Sequence, residues 1–204
     1  MAMTLDHLVT PSTWRAQLPT LTSRLVSLRE PTLGDHQALL VLLSMADAPR
    51  FGLTRPLSAG AVQRLIERAA RDRAAGARFT YVITLNGVQT IIGLLQVRQL
   101  DPSFEAAEWD CVLRSSSRGS GAFLEAARLA GSFAFGTVGV RRLEARVPVA
   151  NGRGNGALRK LGAAQEGVLR RSVGSGGAYH DQALWSMLQE DWGSHWVSTA
   201  MRVH

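Results

Sequence analysis

The chain has 204 residues, 46% hydrophobic and 19% charged, which is the length and balance of one soluble globular domain with a full core. Its net charge of +7 comes from 23 basic residues, all arginine except Lys160, spread through every segment; no basic block with interleaved aromatics forms, which argues against nucleic-acid binding but suits attraction of a polyanion. No apolar run reaches the ~20 residues of a membrane span, Met1–Thr10 lacks a signal-peptide pattern, one cysteine excludes a disulfide framework, and five scattered histidines give no metal spacing, so a cytoplasmic, metal-free protein is expected.

Residues 1–20, with Pro11 and Pro19, read as an N-terminal arm ahead of a single domain over residues 21–204. Leu21–Glu30 alternates and suits a first strand, stopped by Pro31-Thr32. Asp35–Met45 is a short buried helix with Thr32 as its cap. A Pro/Gly/Arg loop, Ala48–Leu57, leads to Ser58, a second cap, and to a helix over Ala59–Ala75 with a charged outer face. Phe79–Leu85 and Thr90–Leu100 form a hairpin across Asn86-Gly87. The loop Asp101–Phe104 precedes a strand over Ala107–Leu113, and a helix follows over Ala122–Val138, ending at Gly139. Val140–Val147 is a strand, Pro148–Gly156 a glycine-rich loop and Ala157–Gly162 a short helix. Gln165–Val173 and Ala178–Leu188 make a last hairpin, and Glu190–Met201 a terminal helix. The order βααβββαβαββ describes one mixed α/β domain around a central sheet.

Between the strand Ala107–Leu113 and its following helix lies Arg118-Gly119-Ser120-Gly121-Ala122-Phe123, a small-residue turn that delivers backbone N–H groups at a helix N-terminus. Two glycines admit close approach of the backbone to a phosphate, and the positive end of the helix dipole favours negative charge. The turn lacks the third glycine of the dinucleotide fingerprint and the Gly-Lys-Ser/Thr of the Walker loop. A Gly-x-Gly turn also serves plain strand-to-helix packing.

Four separated stretches share a register with one known family. Glu108-Trp109-Asp110-Cys111-Val112-Leu113, Arg118-Gly-Ser-Gly121 followed by Glu125-Ala126, the segment Asn151 to Ala163 followed by Glu166-Gly-Val-Leu-Arg170, and Asp181 with Trp185-Ser186 resemble the RimJ/RimL-like branch of the GNAT superfamily of N-acetyltransferases. The resemblance covers residues 21–192. It implies a mostly antiparallel twisted sheet of about seven strands flanked by helices, with a splayed strand pair holding CoA. It implies transfer of an acetyl group from acetyl-CoA to a primary amine, a protein N-terminus or a small molecule, by direct attack in a ternary complex, in a monomer or homodimer. The pyrophosphate is placed on the amides of Gly119 to Phe123 beside Arg118, and the thioester and pantetheine along Cys111, Val112 and Leu113. Asn151 and Asn155 are further pantetheine candidates and Arg159 a phosphate candidate; as loop amides and a helix arginine, their ordinary roles are turn capping and solvation. Two departures stand out: Phe123 where the turn ends in Gly or Ala, and Gly154 where the branch has serine. They keep open the alternative of an acyl-CoA-binding protein without turnover.

Glu108 and Asp110, two apart on one strand face, are the candidate bases; the alternatives are carboxylates paired with some of the many arginines, or a water relay. Cys111 faces the opposite way and reads as a small core residue before a nucleophile. Tyr179 and His180 are either substrate contacts or solvated turn residues, and Trp109 and Trp185 read as core or cleft wall. Acceptor choice falls to residues 31–75 and the last hairpin.

Overall fold

Arg78–Leu85 and Ile91–Gln99, rich in β-branched and leucine side chains, are buried over most of their length on both faces, as central strands of a covered sheet must be. The computed structural model, which describes residues 13–44, 57–88, 90–175 and 178–192, places them inside one eight-stranded sheet. Its strands are β1 (Leu21–Thr22), β2 (Val26–Arg29), β3 (Arg78–Leu85), β4 (Ile91–Gln99), β5 (Ala106–Leu113), β6 (Arg142–Pro148), β7 (Ala164–Ser175) and β8 (Ala178–Leu188). They lie in the order β1-β2-β3-β4-β5-β6-β8-β7. Only β5 and β6 are parallel. The mixed α/β sheet expected from the sequence is thus present, with eight strands in place of about seven. The difference arises at Leu21–Glu30, where the Ser23 hydroxyl accepts from the N–H groups of Leu25 and Val26 and folds one expected strand into a tight turn. Leu21 then faces Leu28 and Thr22 faces Ser27.

Among the described residues, α1 (His36–Ser44), α2 (Ala59–Ala74), α3 (Ala122–Phe133) and α4 (Gly152–Lys160) flank the sheet. Leu39, Leu42, Leu43, Val62, Leu65 and Ile66 of α1 and α2 cluster with Val82, Ile91 and Leu94 on one face. Ala126, Ala127, Ala130 and Phe133 of α3 join Phe79, Tyr81, Leu95 and Val97 in the core of the other. Ser58 caps α2 as its sequence position suggests, its side chain accepting from the Ala61 N–H. The end of the α3 segment departs from a regular helix: Ala134–Val138 widens into a π-helical turn before Gly139. α4 begins at Gly152, five residues before the expected Ala157, because the Asn151 side chain accepts from the Gly154 N–H at 3.0 Å. That cap overrides the low helix propensity of Gly152, Gly154 and Gly156. Residues 189–192 are helical, while the rest of the expected terminal helix lies outside the described residues, as do residues 1–12 and most of the loop before Ser58. Among the described residues no helix is long and apolar enough to cross a membrane.

From Trp14 onward the expected arm is packed into the domain. Trp14 is 2% exposed and Leu18 5% exposed. The Trp14 indole meets Phe79 and Phe104 edge-on, with centroids 6.0 and 5.9 Å away, and Phe79 meets Phe133 of α3 at 5.2 Å. This aromatic set joins the N-terminal segment, the sheet and α3 in one core. Phe104 keeps a left-handed backbone (φ 64°) in the β4–β5 loop while its ring is buried in that set. Trp14→Ala is therefore expected to lower the unfolding free energy by about 3–5 kcal/mol. Urea denaturation is the measurement, and a loss below about 1 kcal/mol would mean that the segment only rests on the surface.

Candidate active site

The parallel ladder between β5 and β6 runs only through Ala106↔Arg142, Ala107↔Leu143 and Glu108↔Glu144. β5 stays paired with β4 as far as Leu113, and β6 pairs with β8 as far as Pro148. The two strands therefore separate after Glu108. The β6-facing backbone groups of residues 109–113 are released from the ladder, and a cleft opens between the strands.

At the far end of β5 the chain turns through Ser115–Ser117 and Arg118 into α3. Gly119 (φ 86°) and Gly121 (φ 89°) are both left-handed, a conformation that a side chain would strain, and a Cβ on Gly119 would meet nothing within 4 Å. The Ser120 hydroxyl donates to the Ser117 carbonyl at 2.8 Å and accepts from the Ala122 N–H at 3.3 Å. The amides of Gly119, Ser120, Gly121 and Phe123 have no acceptor among the described residues. The turn is thus an open cradle of N–H groups at the positive end of α3. Ala122 is buried, and the Phe123 ring packs inward against Trp109 at 6.0 Å, away from the amides. Arg118 is exposed. Trp109, 3% exposed and the first β5 residue beyond the last β5–β6 pair, leaves its indole Nε1 buried without a partner. A native donor in that state calls for a ligand or water.

Alternation divides the β5 candidates between the two faces. Cys111 and Leu113 pack with the α3-side core and Val112 with the α1/α2 cluster. Glu108 is 5% exposed and lies between two guanidiniums, Arg98 of β4 and Arg146 of β6, the latter 3.2 Å away. Burial pushes its carboxyl up, and the two arginines pull it back only in part. Asp110 is half-buried, one face-position further into the splayed stretch. The row continues across β6 and β7: Glu144 meets Arg142 at 2.9 Å and Arg146 at 3.5 Å, and Arg142 meets Glu166. Glu166 also accepts from the Ser186 hydroxyl at 2.7 Å, and with Arg142 this holds its carboxyl down to about 2. Sequence reading missed Arg98, Arg142, Glu144 and Arg146, although alternating opposite charges at Arg142, Glu144 and Arg146 are the signal of a charged strand face.

The α4 candidates already have partners within the protein, although Asn151 and Arg159 are exposed and Asn155 is half-buried. Asn151 is the cap of α4. Asn155 donates to the carbonyls of Pro148 (3.1 Å) and Asn151 (2.9 Å) and accepts from the Trp185 indole N–H at 2.8 Å, so its amide ties α4 to β6 and β8. Arg159 lies over the Trp185 ring at 5.6 Å. A Cβ on Gly154 would stand 2.8 Å from Asn151 Nδ2 and 3.0 Å from Val147 Cγ1, so the position is closed to a serine unless the cap moves. On the last hairpin Tyr179 (64% exposed) and His180 are solvent-facing, and Asp181 accepts from the Arg171 N–H at 2.8 Å, supporting a β7 bulge where Arg171 takes φ 50°. A groove of ≈ 480 Å³ opens beside Glu30, Pro31, Leu33, Ile66 and Arg73. It adjoins β2, three strands from β5, and its charged groups are already hydrogen bonded, as in Arg29 with Asp35 and Arg73 with Glu30.

Residues 25–164 match the model of the acetyltransferase (GNAT) domain family. The fold is similar to that of Mycobacterium smegmatis RimJ in complex with CoA-disulfide, with 20% identity, a TM-score of 0.74, and 89% of this chain and 93% of that chain covered. It is also similar to the microcin C7 self-immunity acetyltransferase MccE in complex with acetyl-CoA and AMP (18% identity, TM-score 0.70, 81% and 93% covered). A spermidine N-acetyltransferase chimera of Vibrio cholerae SpeG and hSSAT gives 19% identity and a TM-score of 0.71, with 83% and 98% covered. No curated protein matches the sequence.

Two outcomes follow from this geometry. Gly154→Ser should cost about 1 kcal/mol of unfolding free energy by displacing the Asn151 cap; an unchanged or higher stability would show that the hydroxyl finds room. Because Glu166 is depressed in the folded state, its contribution is present above the ordinary carboxyl range near ~4.3 and is lost as pH falls towards 2. Urea midpoints followed from about pH 6 down to about pH 2 should therefore fall less steeply for Glu166→Gln than for the wild type, with a residual slope from the other depressed carboxyls, Asp35, Asp101 and Glu125. Equal slopes would leave the Arg142–Glu166 pair without effect.

Proposed function

The chain belongs to the GNAT acetyltransferase family, and on that premise we propose that it moves an acetyl group from acetyl-CoA to a primary amine by direct attack, with both substrates bound together. The observation that carries this reading is the continuity of the β5–β6 gap with the two-glycine amide cradle at α3. A long donor with a phosphorylated end and a pantetheine arm fits that shape: phosphates on the amides of Gly119 to Phe123 with Arg118 alongside, and the arm along the released backbone of Cys111, Val112 and Leu113. The Trp109 Nε1, buried without a partner among the described residues, is a donor that such an arm could engage. Asn151, Asn155 and Arg159 act here by shaping the wall through α4.

The chemistry asks for a neutral amine, a donor to the carbonyl oxygen as charge develops, and a proton for the departing sulfur. The amine nitrogen bonds to the acyl carbon, the C–S bond breaks, one amine proton goes to a base, and the thiolate is protonated from solvent. Of the two carboxylates, we assign proton removal to Asp110, which is half-buried beside the gap. Glu108, enclosed by Arg98 and Arg146, holds those arginines in place. The acceptor is either a protein N-terminus or a small molecule, and the cytoplasm is the setting this reading suits.

A second reading, an acyl-CoA-binding protein without turnover, is favoured by Gly154, where the branch's hydroxyl is absent and lacks room. A thiol-release assay over a panel of amines separates the two. With an accepted amine, Asp110→Asn should lower kcat by about 10²-fold or more while leaving CoA affinity unchanged. Gly121→Asp, which places a carboxylate among the phosphates, should abolish CoA binding in calorimetry. A folded Gly121→Asp protein that binds acetyl-CoA normally would put the site elsewhere, and wild-type kcat in Asp110→Asn would transfer the base role to water or to Glu108.

A further inference from the structure

The turn between β1 and β2 is fastened to the start of α3 by one carboxylate. Glu125, in the first turn of α3, accepts from both the Ser23 hydroxyl and, at 2.9 Å, the Leu25 N–H through the same oxygen. Leu25 Cδ2 comes within 4.0 Å of where a Cβ on Gly121 would stand. Arg24, between these two anchored residues, is exposed. The Glu125 carboxyl is held below its usual range, first by the Ser23 hydrogen bond and then by the Leu25 N–H and the charges of Arg24 and Arg128, against a smaller opposing effect of burial.

An anion in the first turn of α3 is a puzzle for a site that takes phosphates at the same helix end, since like charges there oppose binding. Its oxygen is turned to the β1–β2 turn, and what that turn offers in exchange is a guanidinium, the side chain best matched to phosphate oxygens. We propose that Arg24 is a ligand for the phosphate groups of CoA and that Glu125 is the positioning residue that holds it there, making Ser23–Leu25 a further wall of the phosphate site. This rests on acetyl-CoA being the donor. It adds a contact from the N-terminal turn, about 100 residues away in sequence from the glycine turn it faces.

The test is calorimetric titration of CoA and of dephospho-CoA, which lacks the 3′-phosphate, into the wild type, Arg24→Ala, Arg24→Lys, Glu125→Gln and the Arg24→Ala/Glu125→Gln double variant, with thermal midpoints confirming folding. Arg24→Ala should weaken CoA by roughly fivefold or more and raise KM for acetyl-CoA with little change in kcat, and Arg24→Lys should recover part of the loss. If dephospho-CoA suffers the same loss, the pyrophosphate is the partner; if it suffers none, the 3′-phosphate is. Glu125→Gln should also weaken CoA, although it removes a negative charge beside the phosphates, and the double variant should be no weaker than Arg24→Ala alone. Tighter binding by Glu125→Gln, or CoA affinity within about twofold of wild type in Arg24→Ala, overturns the proposal. A folded wild type that binds no CoA overturns the acetyl-CoA reading and this proposal with it, whereas a loss confined to the variants belongs to this proposal alone.

Discussion

Two parallel strands that share three paired positions and then part leave a column of backbone N–H and C=O groups on β5 without a ladder. Orphan backbone groups inside a protein are costly, so a gap of this kind persists where polar atoms from outside the fold can fill it. The same connection fixes what lies at the gap's end. Parallel neighbours need a crossover, and here the crossover is α3, so the helix must begin where β5 ends. The released backbone and the positive helix end are thus two results of one topological step, and the left-handed glycines Gly119 and Gly121 join them without a side chain in the way.

Keeping the strands apart beyond Glu108 also means keeping them together up to it. Glu108 and Glu144 face each other at the last paired position, an arrangement of like charges that would push β5 from β6. Arg98 from β4 and Arg146 from β6 close on this pair and turn repulsion into a bridge across three strands. No described helix covers that part of the sheet, as α1 and α2 lie over β3 and β4, so the face is free to be polar. The value of such a row lies in register more than in stability, because desolvation takes back much of what the ion pairs contribute.

The elements with strong local signals were legible in the sequence. Ser58 caps α2, Asn86-Gly87 joins β3 to β4, and the glycine turn precedes α3. What was not legible depended on side chains acting over distance. Ser23 breaks an alternating run whose pattern alone reads as continuous. Asn151 starts a helix in a glycine-rich segment that propensity assigns to a loop. Trp14 enters a core with Phe79, Phe104 and Phe133, a set that together spans more than half the chain. Within the site, strand alternation correctly put Glu108 and Asp110 opposite Cys111. The enclosure of Glu108 by Arg98 and Arg146 needed the pairing of three strands, which one strand's sequence does not contain.

The α4 segment sets a limit on how acetyl transfer would proceed. Asn151 and Asn155 are spent on α4, β6 and β8, and the space in front of Gly154 is filled by the cap and by Val147. A hydroxyl acid at that position would compete with the helix start for the same volume. A thiolate of solution pKa ~8.5 leaves readily near neutral pH without a dedicated acid, whereas an ammonium acceptor cannot attack until it loses a proton. In the proposed reaction the demand for a side chain therefore falls on the base side, the role we assign to Asp110 of β5. On that proposal, a glycine at position 154 forgoes the less needed of the two groups.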